Sequence, residues 1–376
     1  MNHSFAATNP CHVYDMALAL WKVDKLGSYY SGYPQWRLKS PAGFPIRSRS
    51  LRTLITYGFQ RMPEWARPDD SAMFRWQDEG FDRAVARILD GSGFIHGLPG
   101  QCLDIFRKAR ELGIVTILNH ASGPFEQQRK LVAPEYERVG LSLEEELPVP
   151  ESYRQRIREE WSLAQVHCVA SSVVRDQLIN EGVPANAIWV VPYGADERIF
   201  RKRAAAPDGP YKICFAGRQS LRKGIHYLLK ALEESGADES WELHCLGMEL
   251  SESQADFTNY KGPGKVIQHG AVPQPELAAI FRDMHVLVLP SAEEAFGLVV
   301  VQALESGLPC IVSNRVGAKD LVRDGITGSV VPFGEVDSLA NALEFWDQHR
   351  TNVEDKFPWS DCSDKLLLQA DNYSTH

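Results

Sequence analysis

Short apolar runs alternate with amphipathic stretches along this chain of 376 residues. The runs have the length of buried strands, and the stretches between them place apolar side chains every three or four residues, as helices do. In the first half this pattern predicts strands at 4–8, 93–96, 114–119, 166–170 and 188–192. It predicts helices there at 14–26, 82–89, 103–112, 152–163 and 173–181. Such an alternation is typical of parallel sheets covered by helices.

A second series of the same kind follows a segment with a Lys/Arg cluster, an alanine run and two prolines, which predicts a linker over 197–210. Strands are predicted at 212–216, 242–246, 266–269, 286–290, 310–313 and 329–331. Helices are predicted at 224–234, 275–284, 297–306 and 337–349. We therefore expect two doubly wound α/β domains, 1–196 and 211–350, with a ligand cleft between the carboxyl ends of their sheets.

Composition excludes several classes of protein. Hydrophobic residues make up 44% and charged residues 24% of the chain, which is the composition of a globular protein. No apolar run approaches the twenty or so residues of a membrane span. The first seven residues lack the basic and apolar parts of a secretory signal, so the expected location is the cytoplasm. The net charge of −9 disfavours nucleic acid as a partner.

The seven cysteines are scattered singly, without a C-x-x-C pair, and most lie in apolar runs. This distribution predicts reduced, mostly buried thiols. No D-x-D sequence and no cluster of His, Cys, Asp and Glu has the spacing of metal ligands, so we expect no essential metal and no cofactor.

Two segments depart from the regular pattern. Residues 35–67 carry seven basic residues against one acid, a local charge of +6, with five aromatic residues among them. This mixture suits an anionic membrane surface, such as the inner face of the cell membrane, or an anionic acceptor. The plainer interpretation is a solvated loop and helix whose aromatic side chains pack inward. Residues 135–160, with eight glutamates and four arginines, are expected to form a solvated helical face.

Two runs at strand ends carry candidate chemistry. In the first, 215–224, Gly217 allows a ligand to approach the backbone, and Arg218 and Lys223 can converge on a diphosphate. A tight turn with exposed cations is the alternative. In the second, 289–299, a helix would begin near Gly297 and present its first amides to a phosphate. Glu294 would compete with that phosphate unless it contacts another part of the ligand, such as sugar hydroxyls. The alternative is that Glu294 only compensates the partial positive charge of the helix terminus.

Taken together, these motifs resemble family 4 of the retaining glycosyltransferases, which have the GT-B fold. The resemblance rests on Gly217-Arg218 with Lys223-Gly224, on 269–272 with 276–277, on 294–299 and on 303–313. The linker phrase 191–196 and Phe200 are also similar to the family, whereas the N-terminal half matches it less closely. The final stretch, 357–376, resembles the helix that crosses back onto the N-terminal domain in this fold.

The resemblance implies a role for particular positions. Arg218 and Lys223 would bind the diphosphate of a nucleotide sugar, and Glu294 would bind the transferred sugar. The other donor-binding positions it implies are Gly217, Val272, Ala295, Phe296, Gly297, Leu298 and Gln302. Gln302 stands where the family has a second glutamate that binds ribose, so a charge-assisted hydrogen bond is lost there.

On the N-terminal side, the resemblance makes His120 the candidate contact with the donor sugar, and Cys11 and His12 candidate acceptor-side residues. It implies transfer of a hexose-type sugar from a nucleotide-diphosphate sugar to a glycan or lipid-linked acceptor. A non-catalytic protein that binds sugar nucleotides or glycans, and a sugar-nucleotide epimerase on the same fold, are the alternatives.

Overall fold

The computed structural model describes residues 2–143, 149–237 and 239–374 and folds them into two parallel β-sheets, each covered by helices. The prediction of two doubly wound α/β domains is confirmed. Every strand predicted from the sequence is present within two residues of its expected bounds.

In the described residues, the first sheet has seven strands. They are β1 (His3–Ala7), β2 (Leu26–Ser31), β3 (Ile46–Ser48), β4 (Phe94–Gly97), β5 (Val115–His120), β6 (Val166–Val169) and β7 (Ile188–Val190). The order across the sheet is β3-β2-β1-β4-β5-β6-β7, and neighbouring strands are parallel. The helices of this half are α1 (His12–Lys22), α2 (Leu51–Phe59), α3 (Asp70–Ala86), α4 (Leu103–Glu111), α5 (Phe125–Arg138), α6 (Glu151–Leu163) and α7 (Ser172–Asn180).

The second sheet has six strands among the described residues, again parallel. They are β8 (Lys212–Ala216), β9 (Glu242–Leu246), β10 (Lys265–Gly270), β11 (Val286–Leu289), β12 (Cys310–Ser313) and β13 (Gly328–Val331). Their order is β10-β9-β8-β11-β12-β13. The strands β3-β2-β1-β4-β5-β6 of the first sheet have the same arrangement, and β7 is an additional strand there. The helices are α8 (Ile225–Glu234), α9 (Gln254–Asn259), α10 (Gln274–Arg282), α11 (Leu298–Glu305), α12 (Val336–Gln348) and α13 (Trp359–Ser374).

Helix α13 returns to the N-terminal half of the chain and packs against α1. The ring of Tyr373 contacts the rings of Phe94 and Trp189, which belong to the first sheet. The last two residues of the expected crossover helix, 375–376, lie outside the described residues. The C-terminal end of the chain is thus part of the core of the N-terminal half.

The first ninety residues differ most from the sequence expectations. The helix expected over 14–26 ends at Lys22, and Leu26 already opens β2, a strand whose glycine and serines conceal it in the apolar pattern. Helix α3 begins at Asp70 rather than near residue 82, with the Asp69 side chain accepting a hydrogen bond from the amide of Ala72. The N-terminal part of α3 exposes large apolar side chains, so it has no clear amphipathic period.

The acidic segment 135–160 is only in part the solvated helical face that its composition predicts, since Glu137 and Glu151 are exposed. Glu135 is buried against the C-terminal half, and Glu160 is buried inside the N-terminal half. Glu160 accepts hydrogen bonds from the backbone amides of Gly100 and Cys102, so it fixes the loop that follows β4. Residues 144–148, which include three of the glutamates, lie outside the described part of the chain.

Candidate active site

The two strands at the centre of the second sheet, β8 and β11, are neighbours whose following helices diverge. In doubly wound sheets a crevice opens at such a switch point, beyond the carboxyl ends of the strands. The loop after β8 carries Gly217, Arg218 and Lys223, and the loop after β11 carries Glu294. The topology therefore brings the two candidate motifs to one place.

Glycines allow the backbones of these loops to touch. At Gly224, φ is +72°, and an added Cβ would lie well inside 3.0 Å of the carbonyl group of Pro290. At Gly247, φ is +125°, and an added Cβ would meet the carbonyl oxygen of Gly217 in the same way. Because only glycine permits both the positive φ and the close approach, these positions hold the start of α8 against the end of β11 and the β9 loop against the β8 loop.

Lys223 and Glu294 form an ion pair at the centre of the crevice. Their side chains are 14% and 16% exposed. Burial, followed by the positive charges of Arg222 and Arg218, lowers the pKa of Lys223 to about 7, although Glu293 favours its charged form. A mostly buried ammonium group next to a carboxylate and two guanidinium groups is a site that an anionic ligand would stabilise.

The loop before α11 presents a helix N-terminus to the same crevice. Gly297 precedes the helix with φ +92° and has no side chain with which to cap it. The first amides of a helix have no partner within the helix and carry a partial positive charge. Phe296 and Ala295 are buried beside them, with the Phe296 carbonyl accepting a hydrogen bond of 2.6 Å from the amide of Ala318. The amides at the start of α11 are therefore held in a rigid loop.

A pocket of about 390 Å³ adjoins this loop at the carboxyl ends of β8 and β9. The expected donor residues Gly217, Arg218, Val272 and Gln302 all line it. Gly247 and Met248 also line it, and sequence reasoning missed them. The signal for Gly247 was present, since it follows a predicted strand as Gly217 does.

On the N-terminal side, the start of α1 approaches the same loop. The His12 ring stacks on Tyr193 with centroids 4.4 Å apart, and Tyr193 contacts Phe296 at 5.0 Å. Burial lowers the pKa of His12 to about 4, so its imidazole is neutral, and its Nε2 has no hydrogen-bond partner. Burial also raises the pKa of Cys11 to about 11, so the thiol is protonated at neutral pH.

His120 ends β5 and is only 2% exposed. Its Nε2 is 2.9 Å from Nδ1 of His167, and its ring packs edge-on against Trp161. Burial lowers its pKa well below the ordinary value, so the ring is neutral. The structure thus places His120 among residues of its own domain, and its expected contact with the donor sugar stays a prediction.

Sequence reasoning missed the contacts that the N-terminal half makes with the loop after β11. The Ser171 hydroxyl donates a hydrogen bond of 2.7 Å to the carbonyl of Ala295, and the Gln128 amide contacts Glu293 at 3.3 Å. Glu293 also pairs with Arg222 at 2.9 Å. The two contacts from the N-terminal half join residues more than a hundred positions apart in the sequence, so no local pattern could have revealed them.

No group of three or more His, Cys, Asp or Glu side chains suited to a metal ion occurs in the part of the chain that the structure describes. Within the same residues, no helix is long and apolar enough to cross a membrane.

The crevice lies within a segment that matches a known family. Residues 196–355 match the model of the family described as glycosyl transferases group 1. The resemblance to glycosyltransferases that the sequence motifs carry is thus confirmed over this part of the chain. The curated relatives match a similar length: the D-inositol 3-phosphate glycosyltransferase of Paenarthrobacter aurescens is 33% identical over 186 residues, 45% of each chain. The lipopolysaccharide 1,6-galactosyltransferase of Salmonella typhimurium is 25% identical over 187 residues, 48% of this chain and 52% of the relative. The chain spans about half the length of the curated relatives it matches.

Solved structures extend the likeness from this segment to the fold of the whole chain. Sucrose-phosphate synthase from Thermosynechococcus elongatus superposes with a TM-score of 0.67 at 17% identity, over 100% of both chains. The Anabaena protein Alr3699/HepE in complex with UDP gives 0.62 at 14% identity, over 100% of this chain and 99% of the other. At such identities the likeness establishes the fold, which is the GT-B arrangement of two Rossmann-like domains.

Proposed function

We propose that the chain is a retaining glycosyltransferase of family 4, which transfers a hexose-type sugar from a nucleotide-diphosphate sugar to an acceptor hydroxyl. The observation that carries this proposal is the convergence of Arg218, Lys223 and the N-terminus of α11 at the carboxyl ends of β8 and β11. Two cations and a set of helix amides around one crevice suit a diphosphate. Cell-surface polysaccharide or glycoconjugate biosynthesis is the process we assign to it.

In this proposal, the bond between the anomeric carbon and the leaving phosphate oxygen breaks while the acceptor oxygen forms the new glycosidic bond on the same face. The acceptor proton passes to the departing phosphate oxygen, so no separate base is needed. Negative charge grows on the diphosphate as the bond breaks. Arg218, Lys223 and the α11 amides then stabilise the transition state more than the ground state.

The ion pair between Lys223 and Glu294 gives each residue a defined part in this process. A bound diphosphate would compete for the ammonium group and release Glu294 to accept hydrogen bonds from sugar hydroxyls. The phosphate charge would also favour the protonated form of Lys223, whose pKa lies near 7 in the free protein.

The names of similar proteins suggest which nucleotide to test first. Alr3699/HepE is described in complex with UDP and with UDP-glucose. We therefore propose UDP as the leading candidate for the nucleotide, with a glycan or a lipid-linked glycan as acceptor. The pocket of about 390 Å³ lined by Gln302 and Val272 is where we place the nucleoside.

The test is a thermal-shift panel of UDP, GDP, ADP, CDP and dTDP in the presence of EDTA, with the wild type and Arg218→Ala. A ligand at 100 times its dissociation constant stabilises the folded state by about 2.7 kcal/mol. The proposal expects one nucleotide to shift the wild type and to lose its effect in Arg218→Ala. No shift from any of the five would contradict a donor site at this crevice.

Turnover separates the alternatives that remain. Release of the nucleotide from its sugar in the presence of an acceptor supports transfer. Binding without turnover would indicate a sugar-nucleotide-binding protein, in which case Gln302→Glu is the variant to test for restored activity. Conversion of the donor without any acceptor would indicate an epimerase.

A further inference from the structure

Helix α2 has its polar and apolar faces reversed. The residues it buries are Thr53 and Thr56, whereas Leu51, Leu54 and Ile55 are exposed. A surface helix normally turns its apolar stripe to the core and its polar residues to water. The reversed arrangement leaves an apolar surface on α2 that this chain's own core does not cover.

This helix lies in the part of the molecule richest in exposed apolar side chains. Among the described residues, sixteen large hydrophobic side chains are exposed, and residues 36–76 hold eight of them. They are Trp36, Leu51, Leu54, Ile55, Met62, Trp65, Phe74 and Trp76. Trp36 is 74% exposed and Trp65 is 88% exposed. The expectation that the aromatic residues of this segment pack inward holds for Phe44, which is buried, but not for these two tryptophans.

A pocket lined by arginines adjoins α2. It has a volume of about 540 Å³ and lies between the loop before α2 and the C-terminal half of α3. Four guanidinium groups line it, from Arg49, Arg52, Arg83 and Arg87. In the described part of the chain, the ion pair found for these four arginines joins Arg83 to Glu79 at 3.4 Å. The pocket therefore carries an excess of positive charge.

The position of Arg52 in this pocket is fixed by its neighbours. Its side chain crosses Gly80, where an added Cβ would collide with the guanidinium group. The guanidinium lies over the Trp76 ring, 4.3 Å from the centroid, and donates a hydrogen bond to the Trp76 carbonyl. Burial and the charge of Arg83 lower the pKa of Arg52. An arginine held in place among other arginines is prepared to bind an anion without further loss of side-chain freedom.

We propose that the face formed by α2, the arginine pocket and the exposed side chains of 36–76 docks on a membrane surface of anionic phospholipid. A lipid phosphate would enter the arginine pocket, and the exposed leucine, isoleucine and tryptophan side chains would enter the headgroup region. The charge distribution argues for this occupant. The chain carries −9 overall but +6 over 35–67, so the remaining residues sum to −15, and this segment is the part that an anionic surface would attract.

The position of this face in the molecule adds to the argument. The Tyr57 hydroxyl, on α2, donates a hydrogen bond of 3.0 Å to the side chain of Asn9, in the loop that leads to Cys11 and His12. Docking through α2 would thus bring the candidate acceptor side of the crevice to the membrane. This last consequence rests on the proposed function, whereas lipid binding itself does not.

Flotation with vesicles tests the proposal. The vesicles contain either phosphatidylcholine alone or phosphatidylcholine with 30 mol% phosphatidylglycerol. We expect the wild type to bind the anionic vesicles only, and to dissociate progressively as the salt concentration rises from 0.1 M to 0.5 M. Because each basic residue near an anionic surface contributes about fivefold in binding, Arg49→Ala combined with Arg87→Ala should weaken partitioning about 25-fold.

Matched variants separate charge from general damage. Arg110→Ala with Arg282→Ala removes two exposed arginines from α4 and α10 and should bind as the wild type does. Leu51→Ser with Leu54→Ser should weaken binding without changing its dependence on salt, whereas Leu112→Ser with Leu368→Ser, also exposed, should have no effect. All of these variants should keep the melting temperature of the wild type and its response to the nucleotide, which separates failure of this proposal from failure of the proposed donor site.

Three results would overturn the proposal. The first is no binding to anionic vesicles at 0.1 M salt, and the second is equal binding to neutral vesicles. The third is a thermal shift with inorganic phosphate that depends on Arg49 and Arg87 but is not accompanied by vesicle binding, which would assign the pocket to a soluble phosphate compound.

Discussion

Replacement of Gly224 by alanine should separate the two loops that form the donor crevice. Gly224 has φ +72°, and an added Cβ would lie far inside 3.0 Å of the Pro290 carbonyl. Relief of that contact requires the start of α8 and the end of β11 to move apart by about 1 Å. The same movement would pull Lys223 away from Glu294.

The magnitude follows from two separate costs. A non-glycine residue in the left-handed region costs about 1–2 kcal/mol, and overpacking of a close backbone contact adds about 1–3 kcal/mol. Gly325 is the matched control, because its φ is +69° and an added Cβ would meet nothing within 4 Å. Gly325→Ala should therefore show the first cost alone, and Gly224→Ala should show both.

Thermal unfolding and nucleotide binding, measured on both variants, test this reasoning. We expect Gly224→Ala to lower the melting temperature beyond Gly325→Ala by about 2–4 °C for each additional kcal/mol. It should also weaken binding of the nucleotide, whereas Gly325→Ala should leave binding unchanged. Equal melting temperatures for the two variants, together with normal nucleotide binding by Gly224→Ala, would show that the contact with Pro290 does not organise the crevice.

Three further predictions concern the crevice and the contacts between domains. Lys223 has a pKa of about 7, and a diphosphate favours its charged form, so nucleotide binding at pH 8 should take up protons and affinity should fall as pH rises above 7. Calorimetry in two buffers of different ionisation enthalpy measures the proton uptake. Its absence would contradict the assignment of Lys223 to the diphosphate site. Glu135→Ala removes the hydrogen-bond partner of His226 and Tyr227, so it should lower the free energy of unfolding by about 1–3 kcal/mol. Glu137 is exposed on the same helix, so Glu137→Ala should change this free energy little. Urea unfolding of both variants measures the difference. Truncation after residue 348 removes α13 from its place on α1 and should destabilise the N-terminal half; full stability and activity of the truncated chain would refute this role of the helix.

The sequence predicted the C-terminal half well because the strands at the centre of its sheet are mostly apolar runs. Strand β11, for example, is buried along its whole length and reads directly from the pattern. The candidate donor residues could be identified because they follow such strands. Gly217 and Arg218 lie next to β8, and the topology of a doubly wound sheet then places their loop beside the loop after β11.

The N-terminal half was harder to predict because several of its elements bury polar side chains. Strand β2 contains a glycine and two serines, and helix α2 buries threonines in place of its leucines. The sequence also carried no indication of the environment of Glu135. Glu135 looks like part of a solvated acidic helix, yet hydrogen bonds from His226 and Tyr227 across the domain boundary outweigh the effect of burial and lower its pKa. Contacts over such sequence distances carry no local signal.

The loop after β11 connects binding in one domain to the position of the other. Its glutamate, Glu294, contacts Lys223, while its neighbours contact Ser171 and Gln128 of the N-terminal half. Since Lys223 and Glu294 are mostly buried in this arrangement, we expect the two halves to separate when a sugar nucleotide enters. The free energy of that separation slows entry of the donor, and it is recovered when the halves close again. Water would be excluded at the same step, which is the condition for transfer to an acceptor to exceed hydrolysis.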